Sequence, residues 1–169
     1  MIAYPYLPPE RTINYVPSDH PWMHAAREFA REHATDRHMP TGAVIVRDES
    51  ILGSGANRVP ITNAWLMRLH KERLCVRRAL KIPSGEKYWL CPGCASSKEH
   101  AEARAVRDVI QKRHDARGAE LYLWGHWWAC KPCWDSLLSL GIERIYLMEG
   151  SERLFNHLHA DNIIGRQFD

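Results

Sequence analysis

The chain is expected to be an α/β protein, a three-layer α/β/α sandwich around a mixed sheet of about five strands. Three observations predict this. The C-terminal half alternates helical and strand patterns, the middle carries an apolar hairpin, and 169 residues with 45% hydrophobic content suffice for one core but not comfortably for two.

Residues 1–17 contain Pro5, Pro8, Pro9 and Pro17 and read as an extended arm, since proline forbids helix there. Tyr4, Tyr6, Leu7, Ile13 and Tyr15 are expected to lie against the domain or a partner subunit. The arm lacks the basic start and apolar run of a secretory signal. Residues 18–169 are expected to form a single domain. Ser18 or Asp19 caps a first helix, with Pro21 in its first turn, that runs through Trp22, Ala25, Ala26, Phe29 and Ala30 to about His33. Residues 42–47, a turn at Asp48-Glu49-Ser50 and residues 51–57 read as an antiparallel hairpin. Its first strand is continuously apolar, hence central. After Pro60, Trp65, Leu66, Leu69, Leu74, Val76, Ala79 and Leu80 recur at helical spacing until Ile82-Pro83-Ser84-Gly85 breaks the pattern. The basic residues among them, Arg68, Lys71, Arg73, Arg77, Arg78 and Lys81, form either a phosphate-attracting face or a solvated one.

Ser96-Ser97-Lys98-Glu99 reads as a capping box opening a helix through Ala101, Ala105, Val106, Val109 and Ile110. A strand follows at 119–124. Pro132 then takes the first position of a helix through Trp134, Leu137 and Leu138 to Gly141. A strand at 144–148 and a helix at 152–159 complete the alternation.

Two short pieces carry the chemistry: His100-Ala101-Glu102 and Cys130-Lys131-Pro132-Cys133. One histidine and two cysteines are the ligands of a zinc site that keeps its fourth position open for water. A glutamate two residues from the histidine can handle protons beside that water. Placing the cysteines at a helix N-terminus favours their thiolates. Cys91-Pro92-Gly93-Cys94 has metal-knuckle spacing, so with Cys75 and His70 it can build a second, structural zinc site; the alternative is a set of small buried cysteines. Five cysteines in this pattern suit a reducing compartment, and a cytoplasmic location is expected. No apolar stretch approaches a membrane span. A net charge of +3 is not the concentrated positive field of a duplex-binding protein, which favours a small anionic substrate over a polynucleotide.

The sequence resembles the cytidine and deoxycytidylate deaminases, most closely the deoxycytidylate branch, over roughly residues 20–150. His100-x-Glu102 with Cys130-x-x-Cys133 carries the superfamily likeness. Residues 42–46 with Gly53-x-Gly55-x-Asn57, Cys75-x-Arg77, Ile82-Pro83-Ser84-Gly85, Cys91 and Gly141-Ile142 extend it, and the Ile82–Gly85 stretch with its flanking cysteines points to the branch. The resemblance implies a cytidine deaminase-like fold, with residues 58–98 as a branch-specific insert containing cysteines. It also implies zinc on His100, Cys130 and Cys133, Glu102 as the proton shuttle, and hydrolysis of a cytosine nucleotide to the uracil form with release of ammonia. Asn57 would contact the nucleoside and the Ala101 backbone the base edge; read from its position alone, Asn57 is a turn residue after a strand. The resemblance further implies a homo-oligomer.

Two departures stand out. Ala129 replaces the family's proline, and the stretch Trp124-Gly125-His126-Trp127-Trp128 is longer than usual. Trp127 and Trp128 are either an aromatic wall against the base or core packing. Arg58 is either a phosphate contact or solvated. Two rival functions stay open: a deaminase for another amino-substituted base or for single-stranded nucleic acid, and a zinc-stabilised scaffold that has lost activity.

Overall fold

The sheet is built from strands that are apolar on both faces, which forces a layer of helices onto each side. The computed structural model describes residues 5–82 and 85–169; residues 1–4 of the expected arm, Tyr4 among them, and Pro83-Ser84 of the expected break lie outside them. Five strands, β1 (Ile13–Val16), β2 (Gly42–Arg47), β3 (Ser50–Ala56), β4 (Glu120–Trp124) and β5 (Arg144–Met148), form one sheet in the order β1-β5-β4-β2-β3. β2 is antiparallel to β3 and β4, whereas β4, β5 and β1 run parallel, so the sheet is mixed. Ala43, Ile45, Leu121, Leu123, Ile145 and Leu147 share one core with α4 (Ala101–Gln111) and α5 (Lys131–Ser139). Val44, Val46, Tyr122, Trp124 and Met148 share the other with α1 (Pro21–His33) and α6 (Ser151–Phe155). The three-layer α/β/α sandwich expected from the sequence is therefore the fold.

Local details depart from expectation. The end of the expected arm, Ile13–Val16, is an edge strand paired with β5. It is only four residues long and closed by Pro17, too short for alternation to reveal it. The α1 cap is His20, whose ring accepts from the Trp22 N–H at 3.3 Å, rather than Ser18 or Asp19. The capping box does not form. Ser97–Glu99 is a 3-10 turn, Ser96 makes no side-chain cap, and the Glu99 carboxylate is taken by Arg104 at 3.0 Å and Arg107 at 3.6 Å. α5 starts at Lys131, with Pro132 second, and ends at Ser139. α6 stops at Phe155, short of the expected 159.

The largest correction lies in the insert. In place of one helix through residue 80 there are α2 (Ala64–Leu69), a π turn (His70–Leu74), an extended Cys75 with φ −74° and ψ 107°, and a short α3 (Val76–Ala79). On a regular α-helix, positions five apart point about 140° from one another. A wider π turn brings i and i+5 towards one side, and here these positions are His70 and Cys75.

Two contacts tie the loops to the sheet. A Cβ on Gly55 would stand 2.2 Å from the Ala101 carbonyl, and one on Gly53 would stand 2.7 Å from that of Ala105; only glycine lets α4 lie this close to β3. Asp36, 2% exposed, accepts from the His38 and Met39 N–H groups at 3.1 and 3.0 Å and pairs with Lys71 of the insert. Burial opposes ionisation of Asp36, but Lys71 and the two N–H donors outweigh it and hold the carboxyl below its ordinary value. That stabilisation is complete above the unfolded aspartate value of about 3.9 and is lost as pH falls through the lower folded one. Asp36→Asn should lower the unfolding free energy by about 1–3 kcal/mol at neutral pH, with the gap to wild type shrinking in acid; urea titrations at several pH values read both.

Candidate metal centre

Each ligand sits where a helix begins. His100 is the residue before α4, with extended φ −69° and ψ 154°, so its side chain leaves the helix axis and turns towards α5. Cys130 holds the same place before α5, and Cys133 follows in that helix's first turn. Their atoms converge. His100 Nδ1 stands 3.5 Å from each sulfur, and the two sulfurs are 3.3 Å apart. A tetrahedral zinc with Zn–S near 2.3 Å and Zn–N near 2.0–2.1 Å needs N–S edges of about 3.5 Å and an S–S edge of about 3.8 Å, so the triangle fits such an ion with little adjustment. Glu102, in the first turn of α4, is 5% exposed and its carboxyl contacts the Cys133 thiol.

The electrostatics are those of a site built to hold charge. The Cys133 thiol and the His100 ring outweigh burial and draw the Cys130 thiol down to about 5, while the Cys133 thiol, facing Cys130 and buried, is pushed up. Cysteine binds metal as the thiolate, so a metal ion held here would displace the thiol protons. Burial opposes a charged His100, but Cys130 and Glu102 outweigh it and raise the ring. Burial pushes the Glu102 carboxyl up, against the pull of His100.

The second group also comes together. Liganding atoms of His70, Cys75, Cys91 and Cys94 all lie within 4.8 Å of one another. Cys75 and Cys94 sulfurs are 3.5 Å apart, and His70 Nε2 is 3.6 Å from Cys91 Sγ and 3.7 Å from Cys94 Sγ. A Cβ on Gly93 would strike the His70 ring at 2.6 Å, so the bend of the knuckle is shaped around that ring. Three thiols and an imidazole with no further opening match a structural zinc set.

The other expected site residues are placed as follows. Ala101 is the first residue of α4 and fully buried. The Asn57 amide bridges the 39–41 turn, its Nδ2 donating to Met39 O at 2.8 Å and its Oδ1 accepting from Thr41 N at 3.0 Å; one hydrogen and one lone pair are left over. Trp128 is 4% exposed and belongs to the core under α4 and α5, with Trp127 packed beside it. Arg58 is exposed and borders, with His33 and Arg104, a cavity of about 100 Å³ along β3.

Three residues near the site were not singled out from the sequence. Tyr88 Oη is 3.0 Å from His100 Nε2, with the two rings edge to face at 5.4 Å. Arg77 lies 3.9 Å over the Tyr88 ring. His126 accepts from the Trp127 and Trp128 N–H groups through Nδ1, and burial draws it down to about 4, so it stays neutral. No spacing rule marks Tyr88 or His126; Arg77 was legible as part of Cys75-x-Arg77 and of the basic set on the insert, not as a residue beside His100.

A family model for the cytidine and deoxycytidylate deaminase zinc-binding region matches residues 17–149. No curated protein matches the chain. Among solved structures, the chain is similar to a dCMP deaminase from the cyanophage S-TIM5, with 19% identity, 83% of this chain and 91% of that one covered, and a TM-score of 0.46. It is also similar to a diaminohydroxyphosphoribosylaminopyrimidine deaminase/reductase from Thermotoga maritima, with 22% identity, 75% of this chain but only 28% of that one covered, and a TM-score of 0.44. A guanine deaminase from Bacillus subtilis gives 15% identity, 72% and 62% coverage, and 0.35. Replacing His100 or Cys133 with alanine should remove one equivalent of tightly bound zinc, measured by elemental analysis, without loss of the folded circular dichroism spectrum; unchanged zinc would detach these residues from the metal.

Proposed function

Because the chain belongs to the cytidine and deoxycytidylate deaminase zinc-binding family, we propose that it hydrolyses the exocyclic amine of a cytosine nucleotide, dCMP to dUMP, releasing ammonia. The observation that carries this reading is the placement of a buried carboxyl, Glu102, beside a three-ligand triangle that leaves a fourth position open. His100, Cys130 and Cys133 would hold the zinc, which would lower the pKa of a bound water towards about 7. The remaining work falls to the protein. Glu102 would take one proton from the attacking water and pass it to N3 of the pyrimidine. It would then take the second proton from the hydroxyl now on C4 and deliver it to the amine, so that the C4–N bond breaks, ammonia leaves and C4–O becomes the carbonyl. Burial raises this carboxyl's proton affinity above that of an exposed glutamate. The Ala101 backbone is proposed to meet the base edge, the spare hydrogen and lone pair of Asn57 the nucleoside, and Trp128 to back the base from within the core.

The deoxynucleotide reading draws support from the insert. The stretch that points to that branch ends at Gly85, whose Cβ, if present, would lie 3.0 Å from Pro132 Cδ and 3.5 Å from Cys130 Cβ, so Gly85 lies against the start of α5. We assign a second zinc, structural in role, to His70, Cys75, Cys91 and Cys94. Among the described residues no helix is long and apolar enough to cross a membrane. Exposed Trp65, Leu74, Leu80 and Trp89 on the insert support the homo-oligomer expected from the family.

Zinc-loaded protein should release ammonia from dCMP in a panel that also holds CMP, cytidine, deoxycytidine, adenosine, guanine and a cytosine-containing oligonucleotide; turnover of another member alone would replace dCMP by that substrate. Glu102→Ala should lower kcat by about 10²–10⁴-fold while keeping its zinc. Zinc content should be two per chain, falling to one in Cys91→Ser.

A further inference from the structure

The insert does more than pack beside the catalytic centre, because a continuous chain of contacts runs from the four-ligand cluster to a ligand of that centre. Cys75 is the last residue before α3, and Arg77 lies two residues on. Arg77 is 7% exposed, donates from Nε to the Glu86 carbonyl at 2.9 Å and lies 3.9 Å over the Tyr88 ring. The far side of the same loop is held by Cys91, whose N–H donates to the Tyr88 carbonyl at 3.1 Å, and by Cys94, whose N–H donates to Cys91 O. Tyr88 is thus gripped between two arms of the cluster, one reaching it through Arg77 and one through Cys91.

The hydroxyl of Tyr88 faces His100. It accepts the Gly85 N–H at 3.0 Å and stands 3.0 Å from His100 Nε2. The other ring nitrogen, Nδ1, is the one turned to Cys130 and Cys133. A histidine that gives Nδ1 to a metal carries its proton on Nε2, and a hydroxyl with two lone pairs can accept both that proton and the Gly85 N–H. Phenylalanine at 88 would leave the Nε2–H of a half-buried ring without this acceptor.

We propose that Tyr88 is the positioning residue for the metal ligand His100, and that the His70, Cys75, Cys91 and Cys94 cluster, when it holds zinc, governs the catalytic centre by fixing Tyr88. The proposal rests on the reading of His100, Cys130 and Cys133 as the catalytic zinc site. Metal at the insert then preorganises metal binding at the junction of α4 and α5, so the two sites load cooperatively.

The test is zinc affinity at the catalytic site, read by competition with a chromophoric chelator, together with the visible spectrum of the cobalt-substituted protein. Tyr88→Phe should weaken that site by about 10–100-fold and alter the cobalt spectrum while the second equivalent stays bound. Cys91→Ser, which empties the cluster, should weaken the catalytic site by a comparable factor. The double variant should be no weaker than the poorer single one, because both act through the same ring. Gly93→Ala crowds the His70 ring without removing a ligand and provides the same reading should Cys91→Ser fail to fold. Wild-type affinity and spectrum in Tyr88→Phe, or multiplicative losses in the double variant, would overturn the proposal. Zinc content insensitive to His100→Ala would instead sink the catalytic assignment on which it stands.

Discussion

The close approach of α4 to β3 is the constraint on which the rest depends. Two glycines in one strand let the helix backbone settle where side chains would otherwise stand, with the Ala101 carbonyl only 2.2 Å from the place a Gly55 Cβ would take. A helix held that near cannot slide or lift, so the residue before it, His100, emerges at a fixed height above the sheet. α5 packs against α4 in the same core, and Cys130 emerges from its own N-terminus at the matching level. The metal triangle is the meeting of two helix starts fixed by one packed layer. Neither loop needs to be rigid by itself. The partial positive charge at the start of α5 adds to the effect by favouring the Cys130 thiolate.

Much of this was legible in the sequence because periodicity and ligand spacing are local. The alternation of β4, α5 and β5, the apolar central strand β2, and the pairing of His100-x-Glu102 with Cys130-x-x-Cys133 need only a few consecutive residues each, and the structure brings the three ligand atoms within 3.5 Å of one another. What escaped was long-range. β1 is four residues that become a strand only because β5 offers an edge. The Ser96–Glu99 box has the right letters, but Arg104 and Arg107 compete for its glutamate. Tyr88 matters because of a partner twelve residues away across a turn. No local rule announces such a contact.

Asn57 illustrates how one side chain can serve the fold and keep bonding capacity in reserve. Its amide stitches the end of β3 to the 39–41 turn, and its own N–H and C=O pair with Thr41 and Thr35. The same stitching leaves part of the amide unspent, facing the loop that Asp36 anchors to the insert. An amide offers more bonding directions than the turn uses, so the structural role does not exhaust it.

The π turn before Cys75 has a consequence for how this chain tolerates change in length. Each residue in a regular helix advances the side chains by about 100°, so deleting one residue between His70 and Cys75 would swing Cys75 around the helix axis and away from its three companions. The count of residues between these two positions is therefore under geometric control even where their identities are free. Exposed letters such as Glu72 and Arg73 are exchangeable in principle, yet their number is not. A single-residue indel here would break up the four-residue cluster without altering any of its members.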